Sequence, residues 1–328
     1  MTKCLVMFSG GLDSVIAAHL LKEQGCDVAA LHFVLPFESG VGKEHATIRS
    51  LADSIAIPLI LVEEAEEFLP MIKNPRFGYG KHANPCLDCR IHRIRKAKEI
   101  MDREGSRFIA TGEVVGQRPM SQRMECLNAI AKRSGLEGLL LRPLSAKLLA
   151  ATIPEQKGWV DREKLLGIHG RGRKEQLAYA KKHGLAHLPP AGGCMLTQAA
   201  TARRFTDLRD ATPHFSLADF KLLAYGRHFR MSPQVKLVVG RNEKENEILT
   251  MLAQKEDCFI TPDNIPGASA LLKGPLSSDQ IQTAAAITAR FSKAKDKKTA
   301  HLIITQNGAT RTIEVTPANE ELYDKMRI

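Results

Sequence analysis

Six residues near the start of the chain, Ser9-Gly10-Gly11-Leu12-Asp13-Ser14, have the types and spacing of a phosphate-binding turn. Two adjacent glycines let the backbone turn tightly and bring N–H groups against an anion. The helix expected to follow directs the positive end of its dipole at the same point. Ser9 and Ser14 add hydroxyl donors. No Lys follows the glycines, so this is not the Gly-x-x-x-x-Gly-Lys loop, and the three-glycine spacing of dinucleotide-binding folds is missing too. An ordinary capped glycine turn uses similar residues, but the position between an apolar strand and a helical segment favours the phosphate site.

The second group is Cys86-Leu87-Asp88-Cys89, preceded by Asn84-Pro85, together with Cys194 in Gly192-Gly193-Cys194. Two thiols at this spacing can ligate one metal centre, and glycines beside the third allow close backbone approach. Three thiolates leave one coordination position open, as a catalytic centre requires. A closed structural zinc site would want a fourth ligand such as His82 or His92. A cysteine pair forming persulfide and disulfide without metal would use the same residues. Cys4, Cys26, Cys126 and Cys258 stand in apolar or ordinary surroundings and read as small buried hydrophobes. Seven cysteines in 328 residues are too few and too unevenly spaced for a disulfide scaffold. The apolar start Leu5-Val6-Met7-Phe8 runs straight into the glycine turn with no export signal, so a reducing cytoplasm is expected.

Charge points to a polyanion. Lys and Arg number 47 against 36 Asp and Glu, a formal net charge of +11. The segment Arg90 to Lys98 has basic and no acidic residues, which offers Arg90, Arg93, Arg95 and Lys96 as nucleic-acid contacts. Arg171 and Arg173 extend the set within the basic stretch Lys157 to Lys182. Neither segment has a broad apolar face, which favours nucleic acid over a membrane surface, and no apolar run approaches the roughly 18 to 20 residues of a membrane helix. The run Lys293 to Lys298 reads as a solvated loop without function.

These residues need a scaffold, and the pattern supplies one. Short apolar runs at Lys3 to Phe8, Asp27 to Phe33, Leu59 to Val62, Arg107 to Ala110 and Leu139 to Leu141 read as strands. They alternate with helical segments such as Ser14 to Glu23 and Leu87 to Arg103. The expectation is an α/β domain with a doubly wound parallel sheet over residues 1–150. A basic helical connecting subdomain holding the third cysteine follows over 151–212, and a smaller α+β domain occupies 213–328. The last has candidate strands at Val235 to Val239, Phe259 to Thr261, Ala268 to Leu272, His301 to Thr305 and Thr310 to Val315.

The loop Ser9 to Ser14 resembles the pyrophosphate loop of the PP-loop, or adenine-nucleotide alpha-hydrolase, superfamily. The resemblance implies a HUP-like fold that binds ATP and cleaves it to AMP and pyrophosphate while adenylating a substrate oxygen. It places the ends of the second and fourth strands at the nucleotide, with His32 and Phe33 flanking adenine and Thr111 and Gly112 approaching from the later strand. A PP-loop domain with an inserted Cys-x-x-Cys and a distant third cysteine is similar to the iron–sulfur-dependent tRNA thiolases. That resemblance implies a 4Fe–4S cluster on Cys86, Cys89 and Cys194. The segment Asn84-Pro85-Cys86 to Cys89-Arg90 also resembles the 2-thiouridylases that work without a cluster. Further on, Val235 to Asn246 with Pro266-Gly267-Ala268-Ser269 resembles the RNA-binding domain of the NFACT family and implies RNA contacts at Arg241 and Asn242.

Together these features imply ATP-dependent tRNA thiolation. Asp13 would lie near Mg²⁺ and the phosphates, Leu12 would belong to the ATP loop, and the amides of Gly10 and Gly11 would stabilise pyrophosphate. The three cysteines would handle sulfur for a uridine. The implied partners are tRNA and a sulfur donor such as sulfide, a cysteine desulfurase or a carrier protein, and a homodimer is plausible. Competing readings are a persulfide-based thiouridylase, an RNA-independent PP-loop ligase or sulfur transferase, and a non-enzymatic tRNA or ribosome factor.

Overall fold

The computed structural model describes residues 1–37, 42–190 and 193–328; Gly192, read above beside the third cysteine, lies outside them. The chain divides into two compact units, Met1–Cys194 and Met195–Ile328. Among the described residues no helix is long and apolar enough to cross a membrane.

In the first unit the five expected apolar runs form strands β1 (Lys3–Met7), β2 (Asp27–Val34), β3 (Leu59–Glu63), β4 (Phe108–Thr111) and β5 (Leu140–Leu141). All pair in parallel, in the order β3-β2-β1-β4-β5. Successive side chains of a strand point to opposite faces, so a strand covered on both sides must be apolar at every position. β1 meets that condition: Cys4 and Val6 are buried under helices Leu12–Glu23 and Gly42–Ser54, and Leu5 and Met7 under helices Cys86–Arg103 and Met124–Arg133. This is the doubly wound α/β sheet expected from the sequence. The chain order reverses between β1 and β4, and a ligand crevice belongs at the carboxyl ends of strands flanking such a point.

Residues 145–190 do not form a separate connecting subdomain. Ala146, Val160, Leu165, Ile168 and Ala180 are buried in the same apolar cluster as Cys4, Val6 and the helix Leu12–Glu23. Backbone bonds tie the segment down as well: Gly170 N–H donates to the Val115 carbonyl at 2.8 Å and Leu188 N–H to the Gly10 carbonyl at 2.8 Å. Where the sequence suggested boundaries near 150 and 212, the structure divides the chain once, after Cys194. Helix Ala199–Ala211 belongs to the second unit, where Phe205 packs edge-on against Phe215 and Phe220.

The second unit is α+β. Strands β6 (Arg227–Ser232), β7 (Val235–Val239), β8 (Cys258–Pro262), β9 (Ala270–Lys273), β10 (Ala300–Gln306) and β11 (Ala309–Val315) form an antiparallel sheet in the order β11-β10-β8-β9-β7-β6. Helix Ser278–Arg290 covers one face through Ile281, Ala284, Ala285 and Ile287. Leu249 of helix Glu243–Leu252 packs with Val238 and Leu271 on the other. β6 was not expected, because Arg227, His228 and Arg230 obscure its apolar signal; it is the end strand of the sheet, paired with β7 and bridged through Phe229 to Arg327.

Candidate functional site

The loop after β1 is held open by its own side chains. Gly10 has φ +71°, a left-handed conformation suited to glycine. Ser14 Oγ donates to the Gly11 carbonyl at 2.8 Å, and Ser9 N–H donates to Ser14 Oγ at 3.2 Å. From the neighbouring strand β4 the chain passes so close that a Cβ on Gly112 would lie 2.5 Å from the Asp13 carbonyl carbon and 2.6 Å from Ser14 N. Glycine at 112 therefore lets the β4 turn close over the start of the helix. Gln117 Nε2 donates to Asp13 Oδ2 at 3.1 Å, while Asp13 Oδ1 is buried with no hydrogen-bond partner. A buried carboxylate oxygen left in this state suits a bound cation, and Mg²⁺ beside phosphates fits it.

The loop opens on a cavity of about 390 Å³. Ser9, Gly11, Asp13 and Ser14 line it, as do His32 and Phe33 at the end of β2 and Thr111 and Gly112 at the end of β4. His32 Nδ1 is fixed by the Phe8 carbonyl at 2.8 Å. Arg90, Arg93, Arg173 and Cys194 complete the polar wall, and the Leu188 to Pro190 segment docked on Gly10 brings Cys194 there.

Two buried carboxylates anchor the arginines. Glu113 takes Arg90 Nε at 3.2 Å and Arg142 Nε at 3.0 Å. Burial opposes its ionisation, but Arg90 and Arg142 outweigh burial and hold the carboxyl below its ordinary value. Glu64 faces His92 Nε2 at 3.0 Å, Arg93 Nε at 3.6 Å and Lys96 Nζ at 3.8 Å. Lys96 also pairs with Glu67, and Arg95 Nε donates to the Arg133 carbonyl at 2.9 Å. Three cations of the basic run, Arg90, Arg93 and Lys96, thus pair with carboxylates from other segments of the chain. Arg93 keeps Nε and Nη2 buried without hydrogen-bond partners, so part of its donor capacity remains for a ligand in the cavity.

Cys86 and Cys89 occupy the first turn of helix Cys86–Arg103. Asn84, itself buried, donates from Nδ2 to Cys86 Sγ at 3.2 Å. Burial pushes the Cys89 thiol up, with Arg93 and Arg90 opposing it. Cys194 lines the nucleotide-side cavity; Cys86 and Cys89 are not in its wall. The seven cysteines form no disulfide. Among the described residues no three His, Cys, Asp or Glu side chains converge on a point that could hold one metal ion. His92, a candidate fourth zinc ligand, bonds Glu64 instead. Cys126 departs from expectation, being only half-buried on helix Met124–Arg133.

The second unit has a cavity of about 730 Å³ lined by Arg227, Arg241, Asn242, Phe291, Lys293 and Lys295 among others. Much of the sequence motif builds its wall. Asn242 caps helix Glu243–Leu252 by accepting from Glu245 N–H at 3.0 Å. Asn246 clamps the Pro-Gly segment, donating to the Gly267 carbonyl at 3.1 Å and accepting from Ser269 N–H at 3.0 Å.

Residues 1–147 match the family described as thiamine biosynthesis protein (ThiI). Residues 226–327 match the NFACT protein RNA binding domain, a span that includes Val235 to Asn246 and Pro266 to Ser269. The tRNA-specific 2-thiouridylase MnmA of Syntrophotalea carbinolica is 38% identical over 117 residues, 33% of this chain and 33% of that protein. The MnmA of Pseudomonas savastanoi pv. phaseolicola is 29% identical over 230 residues, 65% of this chain and 56% of that protein. The chain thus spans only a third to about half of these curated relatives. A 4-thiouridine synthetase–RNA complex with bound ATP is similar at a TM-score of 0.41 and 22% identity, covering 56% of this chain and 41% of that one.

Several residues of the first unit at this cavity were not singled out from the sequence: Gln117, Arg118 and Gln122, which follow β4 in a loop with no pattern of its own, and Leu188 to Pro190. In the second unit Arg227 and Phe291 went unnoticed, and Lys293 and Lys295, read as a solvated run, line the cavity. Arg171 is exposed and is not in the wall of the first cavity, whereas Arg173 is.

Proposed function

We propose that this chain is an ATP-dependent tRNA sulfurtransferase, active in the cytoplasm, that converts a uridine of tRNA to thiouridine. The observation that carries the reading is the shared cavity, whose wall contains the phosphate loop on one side and Cys194, Arg90 and Arg93 on the other. Activation and sulfur transfer then occur within one volume.

The uracil carbonyl oxygen attacks the α-phosphorus of ATP and pyrophosphate leaves. Asp13, one of whose carboxylate oxygens has no hydrogen-bond partner, would hold Mg²⁺, the N–H groups of Gly10 and Gly11 would take up charge on the leaving pyrophosphate, and His32 and Phe33 would border the base. The adenylated carbon is now electrophilic; sulfur adds to it and AMP departs with the former carbonyl oxygen. Arg90, oriented by Glu113, and Arg93, oriented by Glu64, stand where they can neutralise phosphate charge.

Cys86, Cys89 and Cys194 would hold a 4Fe–4S cluster by their thiolates. When bound, such a cluster supplies an iron without a protein ligand that can carry the sulfur to be transferred. A second reading, persulfide chemistry, is favoured by one observation: Cys194 is the cysteine in the described cavity wall, so it alone need carry sulfur there. A cluster would take sulfide from an external donor, whereas a persulfide on Cys194 would need sulfane sulfur from a donor persulfide and a second cysteine thiol to release it to the uridine by forming a disulfide. The reading is tested by incubating the chain with ATP, sulfide and unmodified tRNA without oxygen. It requires tRNA-stimulated AMP formation and thiouridine in the digested tRNA by mass spectrometry; ATP cleavage indifferent to tRNA would support an RNA-independent ligase instead.

A further inference from the structure

The cavity of the second unit is cationic and layered. Arg227, Arg241, Lys293 and Lys295 face it against one acidic lining residue, Glu243. Glu245 is engaged: Arg241 Nε reaches its two carboxylate oxygens at 2.9 and 3.0 Å, and Gly226 N–H donates to it at 3.1 Å. Burial and the positive charge of Arg241 hold Arg227 below its ordinary pKa, a like-charge strain that an anion would relieve. The Arg227 guanidinium lies over the Phe291 ring, 4.6 Å from its centroid, and its Nη1 is fixed on the Gly240 carbonyl at 3.1 Å. A planar cation is therefore held over an aromatic ring in the cavity wall.

Planar surfaces of this kind stack bases, lysines and arginines hold phosphates, and a cavity of about 730 Å³ is of small-molecule size. A duplex cannot use such a site, because its bases are already stacked and paired. We propose that this cavity takes one unpaired nucleotide of RNA, its base against the Arg227–Phe291 layer and its phosphate against Lys293, Lys295 and Arg241. The proposal rests on the RNA part of the function above and narrows it: the second unit engages a single-stranded element of tRNA, such as a loop or an end, rather than a helical arm.

The test is fluorescence anisotropy of the full chain with labelled tRNA, a single-stranded RNA of about ten nucleotides and a duplex of equal length. Lys293 and Lys295 are exposed, so Lys293→Ala with Lys295→Ala leaves the fold intact. The single strand should bind about ten-fold or more tighter than the duplex. Phe291→Leu should weaken the single strand about five-fold or more and leave the duplex unchanged. The lysine double variant should weaken tRNA and single strand and flatten the salt dependence by about two phosphate contacts. Tight tRNA binding that none of these variants alters, or equal affinity for strand and duplex, would overturn this proposal while leaving the RNA reading standing. No binding of any RNA by the wild type would sink both. Displacement of the strand by uridine monophosphate at equal concentration would reassign the cavity to a free nucleotide.

Discussion

Gln117 donates from Nε2 to one oxygen of the Asp13 carboxylate at 3.1 Å and leaves the other oxygen buried without a hydrogen bond. One oxygen fixes the side chain and the other is reserved, which is the arrangement a metal–phosphate site needs. Asp13→Asn should cut tRNA-dependent pyrophosphate release by about 100-fold or more, and Gln117→Ala, which only loosens the carboxylate, by about ten-fold. Both should keep the wild-type far-ultraviolet spectrum. A Gln117→Ala loss as large as that of Asp13→Asn would mean that Gln117 does more than orient.

Gly112 should not tolerate even a methyl group. Its Cβ would fall within 2.5 to 2.6 Å of backbone atoms of Asp13 and Ser14, which cannot swing aside as a side chain can. Gly112→Ala should destabilise the first unit by about 1–3 kcal/mol and weaken ATP binding at the distorted loop. Gly172, whose Cβ would meet nothing within 4 Å, provides the control: Gly172→Ala should stay within about 0.5 kcal/mol of wild type. Thermal unfolding with and without ATP measures both.

The Glu113 network predicts a pH dependence. Its carboxyl is held below the ordinary value in the folded chain, so it binds a proton less readily there than in the unfolded chain. The stability it contributes is present above the ordinary carboxylate pKa and is lost as pH falls through the depressed folded value. Glu113→Gln should therefore reduce stability at neutral pH, by about 3–5 kcal/mol where Arg142 is left unpaired, and flatten the decline in acid. Denaturant midpoints from pH 7 to 3 would show it; parallel wild-type and variant curves would contradict it.

The sulfur centre separates by metal analysis. Protein purified without oxygen should contain iron and inorganic sulfide, with absorption near 400 nm, about four of each per chain. Cys86→Ala, Cys89→Ala and Cys194→Ala should each lose them. Stoichiometric zinc would contradict the cluster, and carefully anaerobic protein without metal would transfer the role to a persulfide on Cys194.

The scaffold was legible because its signals are local. All five strands of the first sheet and the loop Ser9 to Ser14 announce themselves within a few residues, and both faces of β1 are apolar for a reason visible in the sequence. What escaped depends on distance. Nothing near Leu188 says that its N–H will close on Gly10, yet that bond seats the segment leading to Cys194. Arg227 and Phe291 meet only through the fold of the second unit. The partners of Arg90, Arg93 and Lys96 were out of sight for the same reason, since Glu64, Glu67 and Glu113 come from other parts of the chain. Asn242, implied as an RNA contact, also caps a helix, and Asn246 clamps the Pro-Gly segment, neither of which the sequence shows.

The most direct test of the central claim is to follow AMP and thiouridine together. With ATP, sulfide, tRNA and anaerobic protein, AMP should appear in step with thiouridine, and Cys194→Ala should abolish thiouridine without abolishing ATP binding. Thiouridine that never forms while ATP is cleaved at the same rate with and without tRNA would contradict the account.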